Sequence, residues 1–91
     1  MLEATVRLTN ALGLHARAAS QLVRMANRFK SSIILLKRRD NAVTANAKSI
    51  LSVLSIAASF GVELQVIADG EDEDEAITAI EALFVGKFGE E

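Results

Sequence analysis

The chain contains a single histidine, and the residue types around it could carry a phosphoryl group. His15 lies in the segment 13–19 and is followed by Ala16, Arg17 and Ala18. An imidazole with one unprotonated nitrogen is a competent nucleophile at neutral pH, and its attack on phosphorus gives a labile P–N bond. If a helix begins at Ala16, its first backbone N–H groups are unpaired and form an anion site beside the imidazole. Arg17 adds a guanidinium that can make bidentate hydrogen bonds to phosphoryl oxygens.

A simpler interpretation of the same residues is also open, in which His15 only caps a helix and Arg17 is solvated. Short motifs carry a high risk of false positives. The segment lacks a general base and a substrate pocket, so a carrier whose partner enzymes supply most of the chemistry fits it better than an enzyme. With one His and no Cys, a zinc site built from protein ligands is unfavourable, and we predict no metal and no cofactor.

Composition limits the other possibilities. The 91 residues suit one domain, residues 1–91, and no segment has the length and apolarity of a signal peptide or a membrane span, so we expect a cytoplasmic protein. Residues 1–50 carry a balance of +7 and residues 51–91 a balance of −9. The basic half suggests a partner with an acidic surface, although simple solvation explains most of these charges. The acidic half and only four aromatic residues argue against nucleic-acid binding.

The elements that must position His15 follow from apolar periodicity, which predicts the order β-α-β-β-α-β-α. The predicted strands are 2–9, 33–36, 42–44 and 62–66, and the predicted helices are 16–29, 49–59 and one that starts with the acidic run 71–75. We expect Gly61 to take the left-handed backbone that ends the second helix, and Gly86 to end the third. One-sided alternation in the outer strands indicates an α+β fold, with a four-stranded antiparallel sheet and three helices on one face.

The second predicted helix has two features of possible functional importance. Ser49 is placed to cap it by accepting a hydrogen bond from the N–H of Leu51 or Ser52. A buried stripe would leave Leu51 and Leu54 exposed on a flank beside His15, where exposed leucines indicate a docking patch. The alternative is that a neighbouring loop covers both leucines. The predicted buried stripe comprises Ile50, Val53 and Ala57.

Three segments together resemble a known family. The stretch Gly13-Leu14-His15-Ala16-Arg17-Ala18-Ala19 resembles the active-site signature of the histidine-containing phosphocarrier (HPr) family of the bacterial phosphoenolpyruvate-dependent phosphotransferase system. Segments 46–50 and 68–70 are similar to further family motifs at matching separations, and the resemblance covers essentially the whole chain. It implies an open-faced β-sandwich with sheet order 1-4-2-3.

The resemblance also implies a function for each candidate residue. His15 would accept a phosphoryl group on Nδ1 from phosphorylated enzyme I and pass it to a IIA-type domain, with Arg17 assisting the transfer. Leu51 and Leu54 would contact these partners. Ser49 corresponds to a serine that a dedicated ATP-dependent kinase phosphorylates in some bacteria, which weakens acceptance from enzyme I. We expect a monomeric, stoichiometric phosphocarrier.

Two departures from the family pattern leave questions open. Ala18 stands where family members commonly have proline, which is tolerable in the first turn of a helix but leaves partner preference undecided. The predicted hairpin at 38–41 is also slightly longer than usual. Sugar uptake and a regulatory, nitrogen-related branch remain equally open. The competing class is a small-molecule-sensing domain of ferredoxin-like type, in which His15 would be incidental.

Overall fold

A computed structural model describes residues 1–38 and 42–90 of the chain. The elements follow the predicted order, with one short 3-10 helix added after the third α-helix. They are β1 (Leu2–Arg7), α1 (Ala16–Ala26), β2 (Ser32–Lys37), β3 (Val43–Asn46), α2 (Ile50–Ser55), β4 (Glu63–Asp69), α3 (Glu73–Val85) and the 3-10 helix (Lys87–Gly89).

The four strands form one antiparallel sheet in the order β1-β4-β2-β3. The register between β1 and β4 runs from Leu2 opposite Ala68 to Arg7 opposite Glu63. Both the α+β class and the sheet order implied by the family resemblance are confirmed. Because β1 and β4 are neighbours, the loops that leave β1 and enter β4 meet at one edge of the molecule, where Leu8 N–H donates to Val62 O at 3.0 Å.

The helices cover the face of the sheet that carries its buried side chains. Along β4 the exposure pattern alternates, because successive strand residues point to opposite faces. Leu22 of α1 and Ile80 of α3 are fully buried, and burial of each such side chain stabilises the fold by about 1.5–3 kcal/mol. The strands contribute Val6, Ile33, Leu35, Leu64, Val66 and Ala68 to this core, and Leu8, just after β1, adds to it.

The second helix is shorter than predicted, since it spans Ile50–Ser55 rather than continuing to residue 59. After the C-cap residue Ile56, Ala57 takes the left-handed backbone (φ 53°), so the prediction that Gly61 ends this helix is wrong. Gly61 also has a positive φ (85°), but it lies in the turn before β4, where its N–H donates to Leu8 O at 2.7 Å.

The predicted buried stripe on this helix is likewise wrong in part. Val53 is fully buried, but Ile50 is 38% exposed and Ala57 is exposed. The next buried position is Ile56, at 2% exposure. A helix of under two turns presents only one narrow row to the core, and here that row is the i, i+3 pair of Val53 and Ile56.

The remaining boundaries differ by a few residues, as expected at frayed ends. β1 ends at Arg7 rather than at residue 9, and α1 ends at Ala26 rather than at residue 29. The third helix has acids throughout its first turn and ends at Val85, before Gly86, as predicted. Of the predicted hairpin turn at 38–41, residues 39–41 lie outside the described residues.

Candidate functional site

His15 is the residue at which α1 begins. It takes an extended backbone (φ −75°, ψ 177°), and its carbonyl accepts the first helical hydrogen bond, from Ala19 N at 2.8 Å. Its own side chain turns back onto the helix, because Arg17 N–H donates to His15 Nδ1 at 3.3 Å. An acceptor nitrogen holds a lone pair, so Nδ1 is the unprotonated nitrogen of the neutral ring. The ring nitrogen that carries the lone pair therefore faces the helix N-terminus.

The loop before His15 is held from both sides. Gly13 N–H donates to Asn10 O at 3.1 Å, and the buried Asn10 Nδ2 donates to Gly13 O at 2.8 Å. Leu14 is buried, and its N–H donates to Ala58 O at 3.0 Å. These bonds fix the position from which the imidazole projects.

The start of α1 carries the backbone N–H groups on which the predicted anion site depends. The amides of Ala16, Arg17 and Ala18 belong to the first helical turn, where N–H groups have no partner within the helix. Ala18 is fully buried through its methyl group, whereas the Arg17 side chain is exposed. A phosphoryl group on Nδ1 would thus meet backbone donors, the positive end of the helix dipole and an exposed guanidinium.

Glu90 is a further member of the site, and no feature of the sequence pointed to it. One oxygen, Oε2, makes a very short hydrogen bond with His15 Nε2, and the other, Oε1, accepts from Asn10 Nδ2 at 3.0 Å. The hydrogen bond from Asn10, helped by the hydrogen bond from His15 and by the charge of Arg17, holds the pKa of Glu90 below its usual value, although burial acts to raise it. The carboxyl group is therefore ionised at neutral pH.

Glu90 reaches the site because the chain folds back after α3. Lys87 and Phe88 have left-handed backbones (φ 55° and 54°), each unfavourable by about 1–2 kcal/mol for an L-residue. Burial of Phe88, whose ring meets Phe84 edge-on at 5.0 Å between centroids, offsets that cost. Gln21 Nε2 donates to Phe88 O at 3.1 Å and ties the segment to α1.

The second helix is attached to both ends of the first. At its entry, Lys48 Nζ donates to Phe29 O at 2.7 Å, and Asn27 Nδ2 donates to Lys48 O at 3.2 Å. At its exit, the Leu14–Ala58 bond joins it to the loop that carries His15. These contacts place α2 against the element that begins with the histidine.

The predicted features of α2 stand as follows. Ser49 caps the helix by accepting from Ser52 N–H at 3.3 Å, one of the two predicted donors. Leu51 is 78% exposed and Leu54 is 37% exposed, so no loop among the described residues covers them fully. Ile50, predicted to be buried, adds to this surface. We call Ile50, Leu51 and Leu54 the α2 patch.

The described residues place two limits on other chemistry. Within 1–38 and 42–90, no three His, Asp or Glu side chains are grouped as ligands for a metal ion. Over the same residues, no helix has the length and apolarity needed to cross a bilayer.

Comparison with known proteins gives a consistent family. The family model described as "PTS HPr component phosphorylation site" matches residues 2–85. The chain is 45% identical over 91 residues to phosphocarrier protein HPr of Treponema pallidum (strain Nichols), and the match covers 100% of both chains. It is 37% identical to phosphocarrier protein NPr of Escherichia coli (strain K12), over 96% of this chain and 94% of that protein.

Solved structures agree with this sequence relationship. HPr-C-His from Thermoanaerobacter tengcongensis superposes with a TM-score of 0.91 at 43% identity, covering 100% of this chain and 99% of that chain. An HPr dimer from the same organism superposes with a TM-score of 0.75 at 42% identity, covering 99% and 100% of the two chains. Because a similar protein crystallises as a dimer, the expected monomer stays a prediction. A family match from residue 2 to residue 85, identity over the full length and a shared fold together show that this chain belongs to the HPr family of phosphocarrier proteins of the phosphotransferase system.

Proposed function

We propose that the protein accepts a phosphoryl group from phosphorylated enzyme I on His15 Nδ1 and passes it to a IIA-type domain. The observation that carries this proposal is the orientation of the ring, whose Nδ1 accepts from Arg17 N–H at the first turn of α1. A sensing domain would not require a nucleophilic nitrogen at an anion site. The family membership favours the carrier over that alternative.

The proposed step is an exchange of one bond for another. The Nδ1 lone pair attacks phosphorus, an N–P bond forms, and the bond from phosphorus to the donor breaks with its electron pair returning to the donor. Phosphoryl oxygens then take the first-turn amides of α1, replacing the long 3.3 Å bond from Arg17 N to Nδ1. In onward transfer a nucleophile of the IIA domain attacks phosphorus and bonds to it, and the N–P bond breaks with its electron pair returning to Nδ1.

The direct test is incubation with enzyme I and phosphoenolpyruvate, followed by measurement of intact mass. We expect the gain of one phosphoryl group that is lost in mild acid, and no gain in His15→Ala. An acid-stable adduct, or phosphate on the alanine variant, contradicts the proposal.

We propose that Arg17 assists the transfer by forking onto phosphoryl oxygens. Its side chain is exposed, so replacement should leave folding unchanged. Arg17→Lys keeps the charge and loses the planar fork, and transfer should slow in both directions. Arg24→Lys, a change of the same kind later in α1, is the matched control. Equal transfer rates for wild type and Arg17→Lys show that Arg17 is not involved.

We propose that the α2 patch docks enzyme I and IIA domains. Leu51 is its most exposed member, and a charge there would enter a desolvated interface. Leu51→Asp should therefore weaken binding to enzyme I while leaving the free energy of unfolding nearly intact. Val85→Asp is the matched control, since Val85 is 82% exposed on α3. Similar binding by both variants contradicts a docking role for the patch.

We propose that Ser49 is a regulatory phosphorylation site for a serine kinase, in addition to its role as a cap. Ser49→Asp keeps an acceptor at the N-cap and adds negative charge beside the α2 patch. Acceptance from enzyme I should slow, whereas Ser49→Ala should cost about 1 kcal/mol of stability and leave acceptance unchanged. If Ser49→Asp accepts at the wild-type rate, the serine is only a cap.

Transfer to different IIA domains tests in which branch of the phosphotransferase system the protein acts. We propose that a monomeric carrier acts in the cytoplasm, either in sugar uptake or in a nitrogen-related regulatory branch. Parallel transfer assays with IIA domains of the two kinds distinguish these roles, because the partner that accepts faster identifies the branch. Ala18, in place of the usual proline, lies at the first turn of α1, and Ala18→Pro in the same assays shows whether it influences partner choice.

A further inference from the structure

The side chain of Glu90 contacts the ring nitrogen that does not react. Its Oε2 meets His15 Nε2, and its Oε1 is held by Asn10 Nδ2 at 3.0 Å. The His15 and Glu90 side chains are only 22% and 17% exposed. Since Phe88 is buried beside Phe84, packing rather than the contact itself brings Glu90 to the ring.

We propose that Glu90 is a positioning residue for phosphoryl transfer, which keeps the proton of the His15 ring on Nε2 and the lone pair on Nδ1. An ionised carboxylate has acceptors only, so Nε2 must donate to it. The orientation of the ring and its tautomer are then set at both nitrogens, by Glu90 on one side and by Arg17 N–H on the other. This inference rests on the proposed function, because it assumes that Nδ1 is the reacting atom.

A second consequence concerns charge during the transfer. When Nδ1 bonds to phosphorus, the proton on Nε2 stays in place and the ring becomes positively charged. The carboxylate at Nε2 lies where that charge develops and stabilises it, as an acidic residue does beside a histidine that acts as a base. When the phosphoryl group leaves, the ring returns to its neutral form without a proton being gained or lost.

The alternative is that the Glu90 carboxylate slows phosphoryl transfer instead of assisting it. A negative carboxylate near the site would repel an incoming phosphoryl dianion and so act as a shield. Glu90 contacts Nε2, the ring nitrogen away from Nδ1, and the positive charge of Arg17 is close enough to act on the same carboxylate. This arrangement favours positioning over shielding, and the rates of a neutral variant distinguish them.

Glu90→Gln is the informative substitution. It preserves size but replaces one of the two acceptor oxygens by an NH2 donor, which in the present arrangement would face either Asn10 Nδ2 or His15 Nε2. Glu75→Gln, an exposed acid on the first turn of α3, removes the same charge and is the matched control. Glu90→Asp retains the charge and tests whether a shorter carboxylate restores the wild-type tautomer and transfer rate.

The tautomer is read by nitrogen NMR of the unphosphorylated protein in alkaline buffer. His15 is the only histidine, so its two ring nitrogens are identified without further assignment. We expect one dominant tautomer in wild type and in Glu75→Gln, a mixture in Glu90→Gln, and partial recovery in Glu90→Asp. Acceptance from enzyme I should fall by about tenfold or more in Glu90→Gln.

Two results overturn the inference. One is a wild-type tautomer ratio in Glu90→Gln, and the other is transfer by that variant at or above the wild-type rate. Failure of the proposed function is distinguishable from both, because wild-type protein would then accept no phosphate while the tautomer measurement still decides what Glu90 does to the ring.

Discussion

Substitution of Gly13 by alanine should show how closely the loop before His15 is fitted to the segment after α2. The backbone at Gly13 is left-handed (φ +64°), and an added Cβ would lie 2.6 Å from Ala58 O and 2.7 Å from Ser59 Cα. The left-handed backbone alone costs an L-residue about 1–2 kcal/mol. The close atoms belong to the backbone, so relief requires displacement of a chain segment, at about 1–3 kcal/mol more.

Gly61→Ala separates the two costs. Gly61 also has a positive φ (+85°), but an added Cβ there has no heavy atom within 4 Å. Gly61→Ala should lower the free energy of unfolding by the conformational cost alone, about 1–2 kcal/mol. Gly13→Ala should lower it by about 2–5 kcal/mol. Urea denaturation monitored by circular dichroism measures both differences.

The rate of phosphate acceptance should fall in the same order as stability, with Gly13→Ala the more affected variant. Displacement at Gly13 strains the bond from Leu14 N to Ala58 O, which is adjacent to the nucleophile, so acceptance of phosphate should slow in Gly13→Ala and not in Gly61→Ala. Equal losses of stability in the two variants would refute the argument, since the close approach to Ala58 and Ser59 would then have no energetic effect.

Two further predictions concern the packing that brings distant segments together. Phe88→Ala should lower the free energy of unfolding by about 3–5 kcal/mol in urea denaturation, because it opens a cavity beside Phe84; a loss below about 1 kcal/mol contradicts this packing. Hydrogen bonds from the Ser31 hydroxyl, and then from the Lys30 and Ser31 amides, lower the pKa of Asp72 from 3.8 to about 2. Since the folded-state pKa is depressed, the stabilisation is complete above about pH 4 and is lost as the pH falls to about 2. Asp72→Asn should thus be less stable than wild type at neutral pH and should lose less stability on acidification; parallel pH profiles of the two proteins would contradict this.

Local features of the site were predictable because they depend on neighbours in the chain. A helix start after His15 follows from the apolar spacing of the next residues, and Ser49 caps its helix through a bond that spans three positions. The acids in the first turn of α3 are likewise local. Alternation along β1 and β4 determined which strand residues are buried, because the side-chain period of a strand is two.

The length of α2 and the exposure of Ile50 depended on tertiary structure. Apolar residues continue past Ser55, so periodicity predicts a longer helix, yet the chain leaves the helix and gives Ala58 O to Leu14 N. A short-range pattern contains no information about a hydrogen bond between segments 44 residues apart in the chain. Ile50, the first residue of this helix, is 38% exposed.

The contact between His15 and Glu90 shows most clearly which features depend on local sequence and which on tertiary structure. The sequence alone identified the candidate nucleophile, because the chain has one histidine and it stands at a helix start. Only the tertiary structure decided what lies at the other ring nitrogen, since Glu90 is 75 positions away and arrives through two left-handed residues and a buried Phe88. Residue types and spacing encode interactions within a turn or a strand pair, whereas a contact across the whole chain depends on how every intervening element packs.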